Sequence, residues 1–414
     1  MTSYRRFTPR TLLLTTAALA LFAQPVLAQS SPAPDAEAHA LHDRALVLDD
    51  HVDVLLPSTP GRYAGADGES QASLAKLLAG GVDAVVFAAA VGPGPETPEG
   101  VAQARREADE KVAAVKAFVA DSNGQVEQAF SADDIERIHR EGHIAVLLGF
   151  QNFRSLGEDL SAFDGVYASG VRIAALNHAG HNAFSDSSRP INEPAERHGG
   201  LSPLGRQAVA RLNDLGVLID VSQLSTSALL QTLAITRTPV VASHSDVRAL
   251  VDQTRNLTDA ELDAIKANGG VVQLTPFSGY IVRPTAEDIA RVEAIRVEFG
   301  LAGPFTYPTD GTSTLSPEQL SAYYDRLVGG ARKGTLSEYV DHIDYVVRRI
   351  GADHVGFGSD FNHGAGITGL SDESETPNLT AELIRRGYTE AQIQGFWSGN
   401  FLRVLRAAEA ARRN

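Results

Sequence analysis

The sequence predicts an α/β fold, a (β/α)8 TIM barrel, from three observations. The first is that short apolar or β-branched runs recur eight times, at residues 45–50, 82–90, 144–150, 171–177, 217–221, 239–243, 270–275 and 354–359. The second is that amphipathic stretches separate these runs, at 102–119, 204–215, 226–236 and 259–268. Strands that are buried on both faces and alternate with helices form a parallel sheet, and eight repeats favour closure into a barrel.

The third observation is that reactive polar residues follow the runs. The carboxyl ends of barrel strands converge on one mouth, even when they are far apart in the sequence. An open, doubly wound sheet is the alternative fold, but it would scatter several of these residues. They are His51 and Asp53 after the first run, Gln151 after the third, His178 after the fourth, Gln223 after the fifth, His244 after the sixth and Asp360 after the eighth.

The chain begins with the features of an export signal. Three arginines precede an apolar run at 12–22, and small residues at 26–28 provide a cleavage site. We expect a signal peptide at 1–28, a leader segment at 29–43 and a single barrel domain at 44–414. The apolar run is short for a bilayer span, so we expect no stable membrane anchor and a periplasmic or secreted product.

A long segment at 276–337 separates the last two runs, and helical pieces are expected around 286–299 and 317–328. The segment is interpreted either as a lid or dimer contact at the catalytic face, or as a structural excursion along the side of the barrel. Two closing helices are expected at 380–386 and 389–410.

The composition limits the partners and the metal ligands. The net charge is −15, and loss of residues 1–28 removes three arginines and no acid, which leaves −18. A chain this acidic is not expected to bind nucleic acid or anionic lipid nonspecifically. It contains no cysteine, so any metal must be held by His, Asp, Glu or neutral oxygens.

The segment His51-Val52-Asp53 places an imidazole and a carboxylate on the same side of one strand. Alone this pattern is a weak signal, because a satisfied histidine beside a capping aspartate is more common than a metal ligand. His244 and Asp360 end two other strands at the same predicted mouth. Together these residues indicate a zinc-type site.

Several longer motifs resemble the membrane dipeptidase (renal dipeptidase) family of amidohydrolase-like barrels. They are DDHVD, GVRIAALNHAGHNAFSDSS, GLSPLGRQAVARLNDLGVLIDVSQLS, PVVASHSDVRAL, HVGFGSDFNHG and PNLTAELIRRGYTEAQIQGFWSGNFLRVLR, and the resemblance runs from about residue 44 to 408. The resemblance implies the barrel fold, two bridged zinc ions, hydrolysis of a dipeptide amide and homodimerisation.

The resemblance also implies a role for each matching residue. His51 and Asp53 correspond to ligands of the first metal, and His244 to a ligand of the second. His178 corresponds to the histidine that contacts the substrate carbonyl or its oxyanion. Arg255 and Asp360 complete the set, Arg255 as the residue that binds the substrate carboxylate and Asp360 as the acid/base that relays a proton to the leaving amine.

Two positions depart from the family pattern. Gln151 stands where the bridging Glu is expected, and Gln223 stands where a second-site His is expected. A neutral amide brings no charge and is at most a weak zinc ligand. Two divalent ions repel each other and need bridging anions. We therefore expect one zinc ion, or none, rather than two.

Two further histidines follow predicted strands. His181 and His363 could point into the mouth as replacement ligands or as an acid and a base. The alternative is that both are exposed loop residues, as most loop histidines are.

The leading hypothesis is an exported metallohydrolase that cleaves a dipeptide or dipeptide-like amide, on a small-molecule substrate with a free carboxylate. Retained acid, base and carboxylate-binding groups also permit a metal-free tautomerase or isomerase in the maturation of a secreted peptide natural product. A catalytically dead small-molecule binding protein is the third hypothesis.

Overall fold

The structure is a computed structural model that describes residues 36–191, 193–301 and 314–413. The predicted signal peptide, residues 29–35 of the leader segment and residues 302–313 of the long segment lie outside the described residues. The strands are β1 (Leu48–Asp53), β2 (Ala84–Ala90), β3 (Val126–Gln128), β4 (Ile144–Gln151), β5 (Val171–Ala175), β6 (Leu218–Asp220), β7 (Val241–Ala242), β8 (Val271–Leu274) and β9 (Val355–Phe357).

Eight of these strands form a parallel barrel in the order β1-β2-β4-β5-β6-β7-β8-β9. The ring closes between β1 and the residues after β9. There, the Asp360 backbone N–H donates to the His51 carbonyl at 2.8 Å, and the Asp53 N–H donates to the Phe361 carbonyl at 3.0 Å. The predicted barrel is confirmed and the open sheet is wrong.

A ninth strand, β3, was not predicted. It has only three residues, and it pairs with the first half of β4, outside the main strand order. Val126 is buried, whereas Glu127 and Gln128 are only partly buried. The segment therefore has no apolar run that a sequence pattern could detect.

The described helices are α1 (Ala36–His42), α2 (Leu74–Ala79), α3 (Pro98–Ala120), α4 (Ala132–Arg140), α5 (Ala162–Ala168), α6 (Pro203–Leu215), α7 (Thr226–Ile235), α8 (Asp259–Asn268), α9 (Ser278–Ile281), α10 (Ala286–Glu298), α11 (Pro317–Gly329), α12 (Leu336–Ile350), α13 (Thr376–Arg385), α14 (Glu390–Gln394) and α15 (Asn400–Ala410). The four helices predicted between strands are confirmed as α3, α6, α7 and α8. The two expected in the long segment are confirmed as α10 and α11.

Local sequence explains where these helices begin and end. The Thr97 side chain accepts from the Gly100 N–H at the start of α3, which has Pro98 in its first turn. Thr258 and Glu261 form a capping box at the start of α8, and Gly269 ends that helix in the left-handed conformation.

The single helix predicted at 389–410 is wrong in one respect, because a π-helical turn at Gly395–Gly399 separates α14 from α15. This turn carries the buried Trp397, whose indole N–H donates to the Thr380 hydroxyl at 2.9 Å. The tertiary contact of Trp397 thus accompanies a local irregularity that helical periodicity does not predict.

The two ends of the barrel differ in chemistry. At the amino-terminal end, Phe401 and Leu405 of α15 belong to one apolar cluster with Leu48, Leu147 and Val271 of the strands. The polar residues lie at the opposite, carboxyl end. No helix in the described ranges is long and apolar enough to cross a bilayer.

Candidate active site

A cavity of about 460 Å³ opens at the carboxyl ends of the strands. Asp53, His178, residues 90–92 at the end of β2 and residues 362–363 form the part of its wall that comes from the barrel. Residues of α3 and of the loop after β1 form the rest, among them Arg106, Glu107, Glu110, Lys111 and Tyr63. The cavity wall is therefore polar and includes both positively and negatively charged side chains.

His51 and Asp53 form the first half of the site. They are alternate residues of β1, so their side chains leave the strand on the same side. Nε2 of His51 lies 3.7 Å from Oδ1 of Asp53, and both atoms are buried without a hydrogen-bond partner among the described residues. Burial alone would raise the pKa of Asp53, but the charge and hydrogen bond of His363 lower it to about 2. Asp53 is therefore a carboxylate.

The Ser243 hydroxyl orients two imidazoles. Its Oγ lies 3.2 Å from Nδ1 of His51 and 2.7 Å from Nδ1 of His244, and it donates its proton to Oδ2 of Asp220 at 2.6 Å. An oxygen that has given its own proton to a carboxylate must accept from both rings. Both Nδ1 atoms therefore carry hydrogen, and the Nε2 lone pairs of both rings point away from Ser243 into the site.

The Nε2 atom of His244 is already hydrogen-bonded. The Gln223 side-chain nitrogen lies 2.9 Å from it, and the Gln151 side-chain nitrogen lies 3.5 Å from it. The Arg189 guanidinium donates to the Gln223 side-chain oxygen. Since a guanidinium has only donors, this contact fixes the amide orientation, and the Gln223 NH₂ group must face His244.

Asp360 lies at the point where the barrel closes. It has a left-handed backbone with φ of 57°, a conformation that few non-glycine residues adopt outside functional or strained sites. Gly358, two residues before Asp360, lets the chain after β9 pass close to Ser243. A Cβ at position 358 would lie 1.9 Å from the Ser243 carbonyl oxygen. Burial raises the pKa of Asp360, and the nearby His363 and His51 oppose that effect only in part.

His363 binds Asp53 from the cavity side. Its Nδ1 lies 2.5 Å from Oδ2 of Asp53, and its ring stacks on Tyr63 with centroids 5.4 Å apart. Burial acts to lower the pKa of His363, but the Asp53 carboxylate outweighs it and the pKa rises. The structure thus brings His363 into the mouth, half-buried rather than exposed.

His181 does not reach the mouth. It is buried, its Nε2 lies 2.8 Å from the Pro194 carbonyl, and its Nδ1 accepts from the Ser187 N–H at 3.0 Å. Both ring nitrogens therefore hold the loop after β5 in place.

His178 lies between the cavity and Arg189. Its Nε2 is 3.4 Å from an Nη of Arg189, and its buried Nδ1 has no hydrogen-bond partner within the described ranges. Burial, with a smaller contribution from the Arg189 charge, holds the pKa of His178 well below its ordinary value. The ring is neutral, and an Nδ1–H is available to an oxygen of a bound molecule.

Arg255 binds the backbone of His244. It is buried, donates to the His244 carbonyl at 2.6 Å and has its guanidinium carbon 5.1 Å from the centre of the Tyr280 ring. It is not among the residues that line the cavity. The lysine on the cavity wall is Lys111, whose Nζ donates to the Ala90 carbonyl at 2.5 Å.

Comparison with known proteins agrees with this geometry. The family model of the membrane dipeptidases, peptidase family M19, matches residues 35–414. The chain belongs to this family. A solved structure at 22% identity and a TM-score of 0.68, dipeptidase AC of the same family, is described as a metallopeptidase.

Individual relatives point the same way. The crystal structure of the probable dipeptidase PvdM from Pseudomonas aeruginosa is 41% identical with a TM-score of 0.83, over 91% of this chain and 98% of that chain. Dipeptidase tcpJ of Claviceps purpurea is 32% identical over 286 residues, which are 69% of this chain and 56% of that protein. Dipeptidase verJ of Clonostachys rogersoniana is 31% identical over 68% of this chain and 60% of its own length. The match therefore spans little more than half the length of these two curated relatives.

The two metal positions of a dipeptidase-family site differ in how well these residues fit them. At the first, His51 Nε2 and Asp53 Oδ1 are buried, unpaired ligand atoms of the kind that a divalent ion requires. At the second, His244 Nε2 faces the Gln223 NH₂ group, which cannot act as a ligand, and Gln151 brings no negative charge. The residues fit the first ion and do not fit the second.

Two other groups of possible ligands do not form a metal site. Atoms of His51, Asp220 and His244 lie close together, but the Ser243 hydroxyl bonds to all three. The second group, Glu127, Glu141 and His143, is only half-buried or exposed, and Arg137 pairs with both of its glutamates.

Sequence reasoning did not single out three residues that shape the dipeptidase-family site. Arg189 stands alone in a loop rich in serine, and Lys111 lies within an amphipathic helix, so neither has a local signal. Ser243 stood inside the recognised ASHS motif, where its position beside His244 was the available clue.

Proposed function

We propose that this chain is an exported dipeptidase-family hydrolase that cleaves a dipeptide or dipeptide-like amide with one metal ion. One observation carries the proposal. The unpaired Nε2 of His51 and Oδ1 of Asp53 lie 3.7 Å apart beside a cavity whose wall includes Asp53, its partner His363 and the neutral His178.

His51 and Asp53 would hold the ion, with Asp360 next to them. Atoms of Asp53, Asp360 and His363 lie within 4.8 Å of one another. An imidazole and carboxylates without any thiolate suit zinc. When bound, the ion supplies Lewis-acid activation of water and of the amide carbonyl.

Asp360 is the proton carrier in this proposal. A carboxylate whose pKa is raised by burial is a stronger base than an ordinary carboxylate, so it can take a proton from the attacking water and return it to the leaving amine. The Nδ1–H of His178 then donates to the carbonyl oxygen as negative charge develops there. Asp360 must be a carboxylate to accept this proton, whereas the His178 ring is neutral when the substrate arrives.

A cation on the cavity wall would receive the substrate carboxylate. Family resemblance assigns this role to Arg255, but in this structure its guanidinium donates to the His244 carbonyl and Arg255 does not line the cavity. Lys111 lines the cavity, donates one of its three N–H groups to the Ala90 carbonyl and has its Nζ 3.6 Å from Oε1 of Glu107. We assign the carboxylate to Lys111.

A dipeptide is the substrate class that the relatives suggest. A metallopeptidase from Rhodobacter sphaeroides with 22% identity and a TM-score of 0.68 was crystallised with a phosphinate mimic of the dipeptide L-Ala-D-Ala. At that identity the likeness extends to the fold alone, so L-Ala-D-Ala serves as a first test compound. Export to the periplasm or medium rests on the predicted signal at 1–28.

A second function, metal-free proton transfer, is favoured by one observation. His363 and Asp53 form a close ion pair on the cavity wall, and Asp360 lies next to them. A protonated imidazole and a buried carboxyl could move protons on a bound molecule without an ion, as a tautomerase or isomerase requires.

The test is to incubate the zinc-loaded and the chelated protein with L-Ala-D-Ala and a panel of other dipeptides, and to detect products by mass spectrometry. The proposal expects free amino acids, loss of turnover on chelation and recovery with zinc. If the chelated protein catalyses deuterium uptake from D₂O into the dipeptide without cleaving it, the result would instead support the isomerase. Binding without any product would support the binding protein and contradict both enzymes.

A further inference from the structure

Arg189 lies next to the second metal position of the family site. It is buried, with 6% of its surface exposed. Its guanidinium donates to the side-chain oxygen of Gln223, and one Nη lies 3.4 Å from Nε2 of His178. The other end of the Gln223 amide lies 2.9 Å from Nε2 of His244. One amide group therefore separates the guanidinium from the histidine that the family resemblance assigns to the second metal.

The backbone around Arg189 is held firmly. The Ser188 N–H donates to the Gln223 carbonyl at 2.8 Å, and the Gly180 N–H donates to the Arg189 carbonyl at 2.8 Å. The Ser187 hydroxyl accepts from the Arg189 N–H at 3.1 Å and donates to the His178 carbonyl at 2.6 Å. The loop after β5 is thus tied to the loop after β6, and the position of Arg189 does not depend on its side chain alone.

Position 223 has a left-handed backbone with φ of 69°. A glutamine tolerates this conformation poorly, and its side chain is bonded at both ends, by Arg189 and by His244. The strained residue therefore connects a fixed cation to a metal-type histidine.

We propose that the Arg189 guanidinium takes the place of the second metal ion of the family centre, so that this chain holds one ion at His51 and Asp53. A guanidinium is permanently charged and cannot be a ligand. A divalent ion at His244 would have to approach this charge and displace the Gln223 amide. It would also have no anionic bridging ligand, because Gln151 is uncharged. The guanidinium keeps a positive charge beside His178, where a substrate oxygen would gain negative charge.

The inference rests on the metal part of the proposed function, and it is tested by metal content rather than by turnover. The decisive variant is Gln151→Glu/Gln223→His, which restores both family ligands and leaves Arg189 in place. After zinc loading and removal of excess zinc, elemental analysis should find about one ion per chain, as in the unchanged protein. Two ions in this variant would overturn the proposal.

A matched pair of further variants isolates the charge. In the same Gln151→Glu/Gln223→His background, Arg189→Gln should raise the content to about two ions, whereas Arg189→Lys should keep it at one. One ion in both, with circular dichroism and melting curves that show folded protein, would overturn the proposal. Dipeptide turnover is recorded separately, so loss of hydrolysis with unchanged ion counts bears on the proposed function and not on Arg189.

Discussion

The Nε2 atom of His51 and the Oδ1 atom of Asp53 lie 3.7 Å apart, and both are buried without a hydrogen bond in the part of the chain that the structure describes. Leaving a buried polar atom unpaired costs about 1–3 kcal/mol. Ser243 and His363 meanwhile hold the other atoms of the same two side chains in fixed orientations. A cation that binds both unpaired atoms would offset this cost.

Zinc should therefore stabilise the folded protein. A ligand that binds only the folded state at about 100 times its Kd adds about 2.7 kcal/mol to the free energy of unfolding. We expect the Tm to rise with zinc in the unchanged protein and to stay constant in Asp53→Asn, as measured by calorimetry. Asp353→Asn, which changes an exposed acid outside the site, is the control and should respond as the unchanged protein does. An equal rise in Asp53→Asn would show that zinc binds elsewhere.

Asp360→Asn should remove proton transfer while leaving the substrate site intact. General acid–base catalysis contributes about 10²–10⁴-fold, so kcat should fall by about that factor with little change in KM. The measurement is steady-state hydrolysis of the best dipeptide found, together with zinc content to confirm that the ion is retained. Near-normal kcat in this variant would assign the proton transfer to another group.

Lys111→Met should weaken substrate binding. A hydrogen bond to a charged group contributes about 1.5–3 kcal/mol, so KM should rise about 10- to 100-fold with a smaller change in kcat. Lys116→Met, on the exposed face of the same helix, is the matched control. A dipeptide amide, which lacks the carboxylate, should bind equally to both variants. A large KM increase in Arg255→Met but none in Lys111→Met would return the carboxylate to Arg255.

His42 should make stability depend on pH. Its Nε2 lies 2.7 Å from the Gly80 carbonyl and its Nδ1 lies 2.7 Å from the Thr380 hydroxyl, and burial lowers its pKa. Below the ordinary histidine pKa of about 6.5 the unfolded chain binds a proton that the folded chain does not. The contribution of neutral His42 to the free energy of unfolding is therefore fully present above that pH, and it decreases as the pH falls towards the folded-state pKa.

The comparison for His42 is made by urea unfolding at pH 7.5 and 5.5. One such group changes the free energy of unfolding by at most about 1.4 kcal/mol per pH unit. Between pH 7.5 and pH 5.5, the decrease in the free energy of unfolding should be smaller in His42→Gln than in the unchanged protein. An identical loss would show that other groups cause the dependence.

Much of the fold followed from the sequence because burial and periodicity are local signals. All eight barrel strands have apolar runs, and the four predicted helices between strands have amphipathic faces of sufficient length, whereas α2, α4, α5 and α12 were not predicted. β3 did not, with one buried residue of three, and the π-helical turn at Gly395–Gly399 depends on where Trp397 packs. Such features are decided by tertiary contacts that a periodic pattern does not contain.

The site was predictable only where barrel topology determines it. His51, Asp53, His244 and Asp360 come together because strand ends converge. Arg189 reaches the same place through a loop whose path depends on hydrogen bonds to residues far away in sequence, such as Gln223. The proximity of His363 to Asp53, likewise, follows from the turn after β9 and not from its loop composition.

The most direct test of the account is the metal content of the purified, mature protein after zinc loading and removal of unbound zinc. One ion at His51 and Asp53, with Arg189 at the second position, predicts about one zinc per chain, and His51→Ala should remove it. Two ions per chain, or none, would contradict the account.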